Sequence, residues 1–206
     1  MAAPGAELRL ILASTSRYRR ELLQRLRLPF EVQSPQVDET PLPEETPVQL
    51  ALRLALAKAR AVAAGRPDAV VIGSDQVADL DGRAIGKPLT HERAVQQLRD
   101  MSGRTLVFQT AVAVVHARAG YERVECVPSR VRVRPLRDGE IQAYLHAETP
   151  YDCAGSAKSE GLGIALLEAI ESDDPTALVG LPLIRTTALL REAGCDVLQR
   201  LAAARA

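Results

Sequence analysis

Ala69-Val70-Val71-Ile72-Gly73-Ser74-Asp75-Gln76-Val77-Ala78-Asp79-Leu80-Asp81-Gly82-Arg83-Ala84-Ile85 decides the fold. It opens as a short apolar run of the length of a buried strand, and that strand extends towards Leu80. Asp81-Gly82 between two extended segments is a hairpin signal, because a two-residue turn of this kind needs left-handed backbone. Counting outward from that turn sets Leu80 opposite Arg83, Gln76 opposite Lys87 and Asp75 opposite Pro88. Lys87 is thus a near neighbour of Asp75. Ideal register puts it on the face of Gln76, and a one-residue bulge would bring it to the face of Asp75. A carboxylate at the end of a buried apolar strand costs desolvation free energy unless it has a partner or a role. Asp75 is therefore either a tuned base or metal ligand, or a capping aspartate in a turn.

Upstream, Leu8 to Ala13 reads as another buried strand, followed by the cap cluster Ser14-Thr15-Ser16 and a helix from Tyr18 to Leu28. Phe30 to Gln33 suits a short strand. Pro35 to Pro47 is a Pro-rich acidic loop. Thr46-Pro47 starts a helix that runs to Ala64 and stops at Gly65. Downstream, Thr90 caps a helix to Met101, closed by Ser102-Gly103. Two long β segments follow, Thr105 to His116 and Glu122 to Val133. Asp138 then caps a helix to about His146, Gly163 to Ile170 reads as a strand, and Leu181 to Glu192 as a last helix closed by Gly194. Strands alternating with helices, with hairpins mixed in, give an α/β or α+β fold on a mixed sheet. One domain covers residues 1–206, with a core over 7–194 and loose tails at 1–6 and 201–206.

Composition limits what the site can serve. The 206 residues are 47% hydrophobic but only 3% aromatic, with no Trp, so the core is aliphatic. Twenty-six basic residues balance 26 acidic ones. A grip on a long nucleic-acid backbone normally brings a basic excess, so an anionic partner is expected to be small, and no nucleic acid is expected. Cys126, Cys153 and Cys195 form no CxxC pair, and His91, His116 and His146 lack metal-ligand spacing, which fits reduced thiols and scattered histidines in a cytoplasmic protein. No segment has the ~18 apolar residues of a membrane span and no signal peptide opens the chain, so no membrane partner is expected.

Five pieces can carry chemistry. In Leu12-Ala13-Ser14-Thr15-Ser16-Arg17-Tyr18-Arg19-Arg20 a strand enters a hydroxyl-rich turn and then a helix with arginines in its first turn. Helix N-termini favour anions and arginines add bidentate phosphate contacts; the alternative is a solvated basic face. Ser74-Asp75-Gln76 is the second piece. Asp38-Glu39 and Glu44-Glu45 are the third, as loop carboxylates that either hold magnesium or are simply solvated. Lys58 lies four residues from both Leu54 and Val62, on an apolar stripe, where it either enters a cleft or snorkels to the surface. The run Cys153-Ala154-Gly155-Ser156-Ala157-Lys158-Ser159-Glu160-Gly161-Leu162-Gly163 is a flexible, donor-rich loop without Walker A spacing.

In this order the pieces resemble the Maf family of nucleoside-triphosphate pyrophosphatases. The resemblance is carried by LILASTSRYRRELL, VDET, LALRLALAKA, VVIGSDQV, DGRAIGKPL, YDCAGSAKSEGLGI and DDPTALVGLPLI. Gln76 and Lys158-Ser159-Glu160-Gly161 look like the branch acting on 7-methyl-GTP. The alternatives are the dTTP/UTP branch, or a nucleotide-binding regulator of cell division that does not hydrolyse. The resemblance implies Asp75 as proton acceptor, with Ser14, Arg19, Arg20, Lys58, Lys87 and Lys158 binding substrate and Glu39 with Asp75 as metal ligands. It implies Tyr18, Gln76 and Glu160 as specificity positions, the first of which is often Trp in that branch. It also implies an elongated mixed sheet flanked by helices, in two Maf/ITPase-like lobes around a central cleft, a divalent cation (Mg2+, Mn2+ or Co2+), a nucleoside triphosphate as partner, and a homodimer in many members.

Overall fold

The computed structural model of the chain describes residues 8–204. Seven strands make one mixed sheet: β1 (Leu10–Ala13), β2 (Glu31–Val32), β3 (Val70–Leu80), β4 (Arg83–Ile85), β5 (Thr105–His116), β6 (Tyr121–Val133) and β7 (Leu167–Ser172). They lie in the order β2-β1-β3-β5-β6-β7, with β4 paired on β3. The pairs β1–β2 and β1–β3 are parallel, and the others are antiparallel. Among the described residues the flanking helices are α1 (Arg17–Gln24), α2 (Pro47–Ala63), α3 (His91–Met101), α4 (Asp138–Glu148), α5 (Leu183–Glu192) and α6 (Val197–Ala203). This is the mixed α/β sheet fold expected from the alternation of elements.

The long strand β3 organises the molecule. One of its edges pairs with β5 from Val71 to Asp79. Its other edge pairs with β1 over Val70–Gly73 and with β4 over Ala78–Leu80. Ser74 to Val77 is left without a partner on that edge, so the sheet opens at Asp75. The packing divides at the same place. Below the gap, α1, α5 and α6 cover one face of the sheet and α2 the other. Beyond it, α3 and α4 pack on Ala78, Leu80, Leu106 and Phe108. These separate cores form the two lobes.

Local chemistry explains the elements. Asp81 and Gly82 have φ of 53° and 81°, as a tight hairpin requires, and Leu80 pairs with Arg83 as counted. Thr46 and Gln49 form a capping box at the start of α2, with Pro47 as its first residue. Gly73 is obligatory for a different reason. A Cβ there would lie 2.2 Å from the Ala55 carbonyl oxygen and 2.7 Å from Ala59 N, so only glycine lets α2 pack this closely on β3.

Three expectations change. The C-terminal stretch is not loose up to Ala203: Asp196 caps α6 and Leu201 packs on the core beside α5. The strand read as Gly163–Ile170 begins only at Leu167, because Leu162–Leu166 forms a tight 3-10 turn. Helix α1 ends at Gln24, and Arg27, with φ of 57°, turns the chain towards β2. The expected tail at residues 1–6 lies outside the described residues, as do residues 205 and 206.

Candidate active site

Alternation along β3 sends Val71, Gly73, Asp75 and Val77 towards α2, and Ile72, Ser74 and Gln76 to the opposite face. Lys58 follows the buried stripe Leu50, Ala51, Leu54 and Ala55 on α2, and the close packing at Gly73 brings its side chain to Asp75. The Lys58 ammonium donates to Asp75 Oδ1 at 2.7 Å. It also pairs with Glu39 Oε1 at 2.7 Å. Lys58 and Asp75 are buried, whereas the Glu39 side chain is 59% exposed. Asp75 Oδ2 has no hydrogen-bond partner among the described residues.

The loop carrying Glu39 is stapled to α2. Glu45 accepts from Arg53 Nε at 2.5 Å and Arg53 Nη2 at 2.8 Å, and Arg53 also donates to the Thr40 carbonyl. Arg53 holds the Glu45 carboxyl down at about 2.

Helix α1 enters at the open edge. Ser14 Oγ accepts from Ser16 N, and Ser16 Oγ accepts from Arg19 N, which fixes the turn between β1 and α1. Arg19 Nε donates to the Gly180 carbonyl at 2.9 Å, leaving both terminal guanidinium nitrogens without a hydrogen-bond partner among the described residues. Desolvation lowers the Arg19 pKa, while the nearby Asp75 and Glu39 carboxylates oppose that shift. Two carboxylates, one ammonium and one forked cation thus converge on the gap in the sheet.

On the other face, Gln76 is spent on scaffold. Its amide nitrogen lies 2.9 Å from Thr110 Oγ1, 3.1 Å from the Ala177 carbonyl and 2.9 Å from the Leu178 carbonyl. Ser74 Oγ donates to the Gly180 carbonyl at 3.0 Å.

A second cluster surrounds Tyr18. The Arg17 guanidinium lies 4.7 Å from the Tyr18 ring centroid and donates to the Tyr18 hydroxyl. Cys153 and Asp152 also touch that hydroxyl. The Lys158 ammonium is engaged by Glu148, whose other oxygen accepts from Leu162 N at 2.7 Å. That pairing raises the Lys158 pKa and lowers that of Glu148, and Tyr18 and Glu160 add smaller effects on Lys158. Glu160 is exposed.

The Maf-like protein family model matches residues 9–193. The chain belongs to the Maf-like protein family. A 7-methyl-GTP pyrophosphatase of Polaromonas sp. is 71% identical over 90% of this chain and 84% of its own length. Those of Albidiferax ferrireducens and Burkholderia thailandensis are 64% and 65% identical, over 92% and 90% of this chain and 96% and 88% of their own lengths. A solved dITP/XTP pyrophosphatase from Mycobacterium abscessus aligns over 94% of this chain and 98% of its own, at 17% identity and a TM-score of 0.45, too weak a likeness for any conclusion.

Of the residues singled out in the sequence, Asp75, Lys58, Glu39 and Arg19 come together, with Ser14 shaping the turn beneath them. Tyr18, Lys158 and Glu160 gather at the second cluster. Arg20 is exposed on α1. Lys87 does not reach Asp75 by strand pairing: β4 ends at Ile85, and beyond it Pro88 lacks an amide donor and Leu89 has φ of 64°. Lys87 is exposed and has no ion-pair partner among the described residues. The ammonium beside Asp75 is that of Lys58. Ser74 stands in the Ser74-Asp75-Gln76 piece without a role of its own, and Gly180 falls in the stretch DDPTALVGLPLI but is not among the residues expected at the site.

No group of three or more His, Cys, Asp or Glu suited to a metal occurs among the described residues, nor any helix long and apolar enough to cross a membrane.

Proposed function

We propose that the chain is a cytoplasmic nucleoside-triphosphate pyrophosphatase that hydrolyses 7-methyl-GTP to the monophosphate and pyrophosphate. The observation that carries this reading is the buried Asp75 carboxylate, held on one oxygen by Lys58 at the open edge of β3. In the proposed reaction Asp75 Oδ2 takes a proton from water as the water oxygen attacks the α-phosphorus. The bond from that phosphorus to the bridging oxygen breaks, and pyrophosphate leaves with the bond pair. Arg19 and Lys58 neutralise the charge that builds on the phosphates, with Lys87, Arg20 and Lys158 as outlying cations. Ser14 holds the turn that presents Arg19.

A divalent cation fits the residues. One ammonium already bridges Asp75 and Glu39, so the two carboxylates converge tightly enough for a single ion. Magnesium sites commonly use one or two carboxylates plus phosphates and water. Such an ion would supply further neutralisation of the phosphates.

The names of the relatives favour 7-methyl-GTP as substrate. The methylated base carries a delocalised positive charge, suited to the Tyr18 ring and to the acidic Glu160. Gln76 contributes by bracing the scaffold. Pyrophosphate release from a panel of nucleoside triphosphates with Mg2+, Mn2+ or Co2+ tests the proposal. A preference for 7-methyl-GTP supports it. A preference for dTTP or UTP moves the chain to the other branch, and tight binding without turnover makes it a sensor.

A further inference from the structure

Asp174 lies in the stretch DDPTALVGLPLI but in neither of the two side-chain clusters of the site. It is 2% exposed. A carboxylate buried that deeply needs several donors, and it has them. Oδ1 accepts from Thr176 N at 3.0 Å and Thr176 Oγ1 at 2.8 Å. Oδ2 accepts from Ile184 N at 2.7 Å and Arg185 N at 3.3 Å, in the first turn of α5. Thr176 Oγ1 in turn accepts from Leu183 N and lies within donating distance of the Leu181 carbonyl, both at 2.8 Å. Both ends of the turn Ala177–Gly180 are thereby pinned.

That turn is where the site takes its orientation. The Gly180 carbonyl accepts from Arg19 and Ser74, and the Ala177 carbonyl from Thr110 and Gln76. Gly180 has φ of 123°, a conformation side-chain-bearing residues rarely adopt, so its carbonyl direction is not a default of the backbone. It has to be held by neighbours.

We infer that Asp174 is a positioning residue for the Arg19 guanidinium, acting through Thr176 and the Gly180 carbonyl. The inference rests on the pyrophosphatase reading of the site. Arg19 has five donors. With Nε fixed on Gly180, its two terminal nitrogens are set in one plane for a phosphate. Releasing the turn frees that plane to rotate.

The test is a double-mutant cycle on the full chain with Asp174→Asn, Thr176→Val and Arg19→Ala. Its readouts are kcat/KM for 7-methyl-GTP, affinity for inorganic pyrophosphate by calorimetry, and thermal midpoint. Asp174→Asn and Thr176→Val should each lower kcat/KM by about 10- to 100-fold, the scale of a small misplacement. Both should weaken pyrophosphate binding, and neither should cost anything further once Arg19 is Ala. Losses that multiply would overturn the inference, as would a lower thermal midpoint with unchanged kcat/KM. If Asp174→Asn does not fold, Thr176→Val in the same cycle decides. If the wild-type chain turns over no nucleotide, the pyrophosphatase proposal fails, and the pyrophosphate affinities still decide on Asp174. Unchanged affinity in Arg19→Ala would then overturn its role.

Discussion

Replacing Lys58 by Met keeps an unbranched side chain one atom shorter and deletes the charge on which the site is built. The Lys58 and Asp75 side chains are 6% and 10% exposed, so their contact is a buried ion pair, whereas Glu39 at 59% is close to solvent. An exposed pair is worth about 0–1 kcal/mol. Stranding one partner of a buried pair costs about 3–5 kcal/mol, so the loss is dominated by Asp75. Asp75 stands at an open strand edge, which places Lys58→Met near the lower figure, about 3 kcal/mol. In a chain of 206 residues that corresponds to a thermal midpoint lower by about 6–12 °C. Adding Asp75→Asn removes the stranded charge as well. The double variant should therefore be more stable than Lys58→Met alone, with a coupling of at least about 1.5 kcal/mol. Urea unfolding of the wild type, both single variants and the double variant, followed by circular dichroism, measures this. Losses that add to within about 0.5 kcal/mol would refute a coupled buried ion pair between Lys58 and Asp75.

The acidic loop gives a pH test. The folded Glu45 carboxyl is depressed from 4.5 to about 2, so its contribution to stability is full above pH 4.5 and is lost as pH falls towards 2. Glu45→Gln should lack that loss, and parallel urea midpoints for both proteins across this window would contradict the Arg53 staple. Burial pushes the Cys126 and Cys153 thiols up to about 11, so both should react with iodoacetamide far more slowly than a free thiol at pH 8; a free-thiol rate at Cys153 would show the loop beside Tyr18 to be open, and one at Cys126 would show its place on β6 to be exposed. Glu160→Gln should lower the preference for 7-methyl-GTP over GTP about tenfold, the difference between a charged and a neutral hydrogen bond; an unaltered ratio would remove Glu160 from base recognition.

Much of the fold lay in local signals. The Asp81-Gly82 hairpin, the Thr46-Pro47 start of α2 and the Thr90 cap of α3 each depend on residues within a turn of one another. The site was legible only in part, because its contacts cross the chain. The stripe on α2 leaves Lys58 either in a cleft or at the surface, and does not say what it faces. That follows from the close approach of Ala55 and Ala59 to Gly73, a contact between distant segments. Extrapolating the hairpin chose Lys87 because the count assumed pairing that Gly86, Pro88 and Leu89 do not continue. Arg19 and Gly180 are 161 residues apart, and nothing near either one names the other. Helix α6 was hidden by its Ala-rich end, although Asp196 caps it and Val197 and Leu201 pack on the core.

The central claim is that Asp75 takes the proton from the attacking water. Asp75→Asn preserves shape and leaves Lys58 paired with Glu39. Pyrophosphate release from 7-methyl-GTP by this variant, measured beside its circular dichroism spectrum, is the most direct measurement. The account predicts an unchanged spectrum with release reduced at least about 100-fold, the contribution of a general base. Wild-type turnover by a folded Asp75→Asn protein would contradict it.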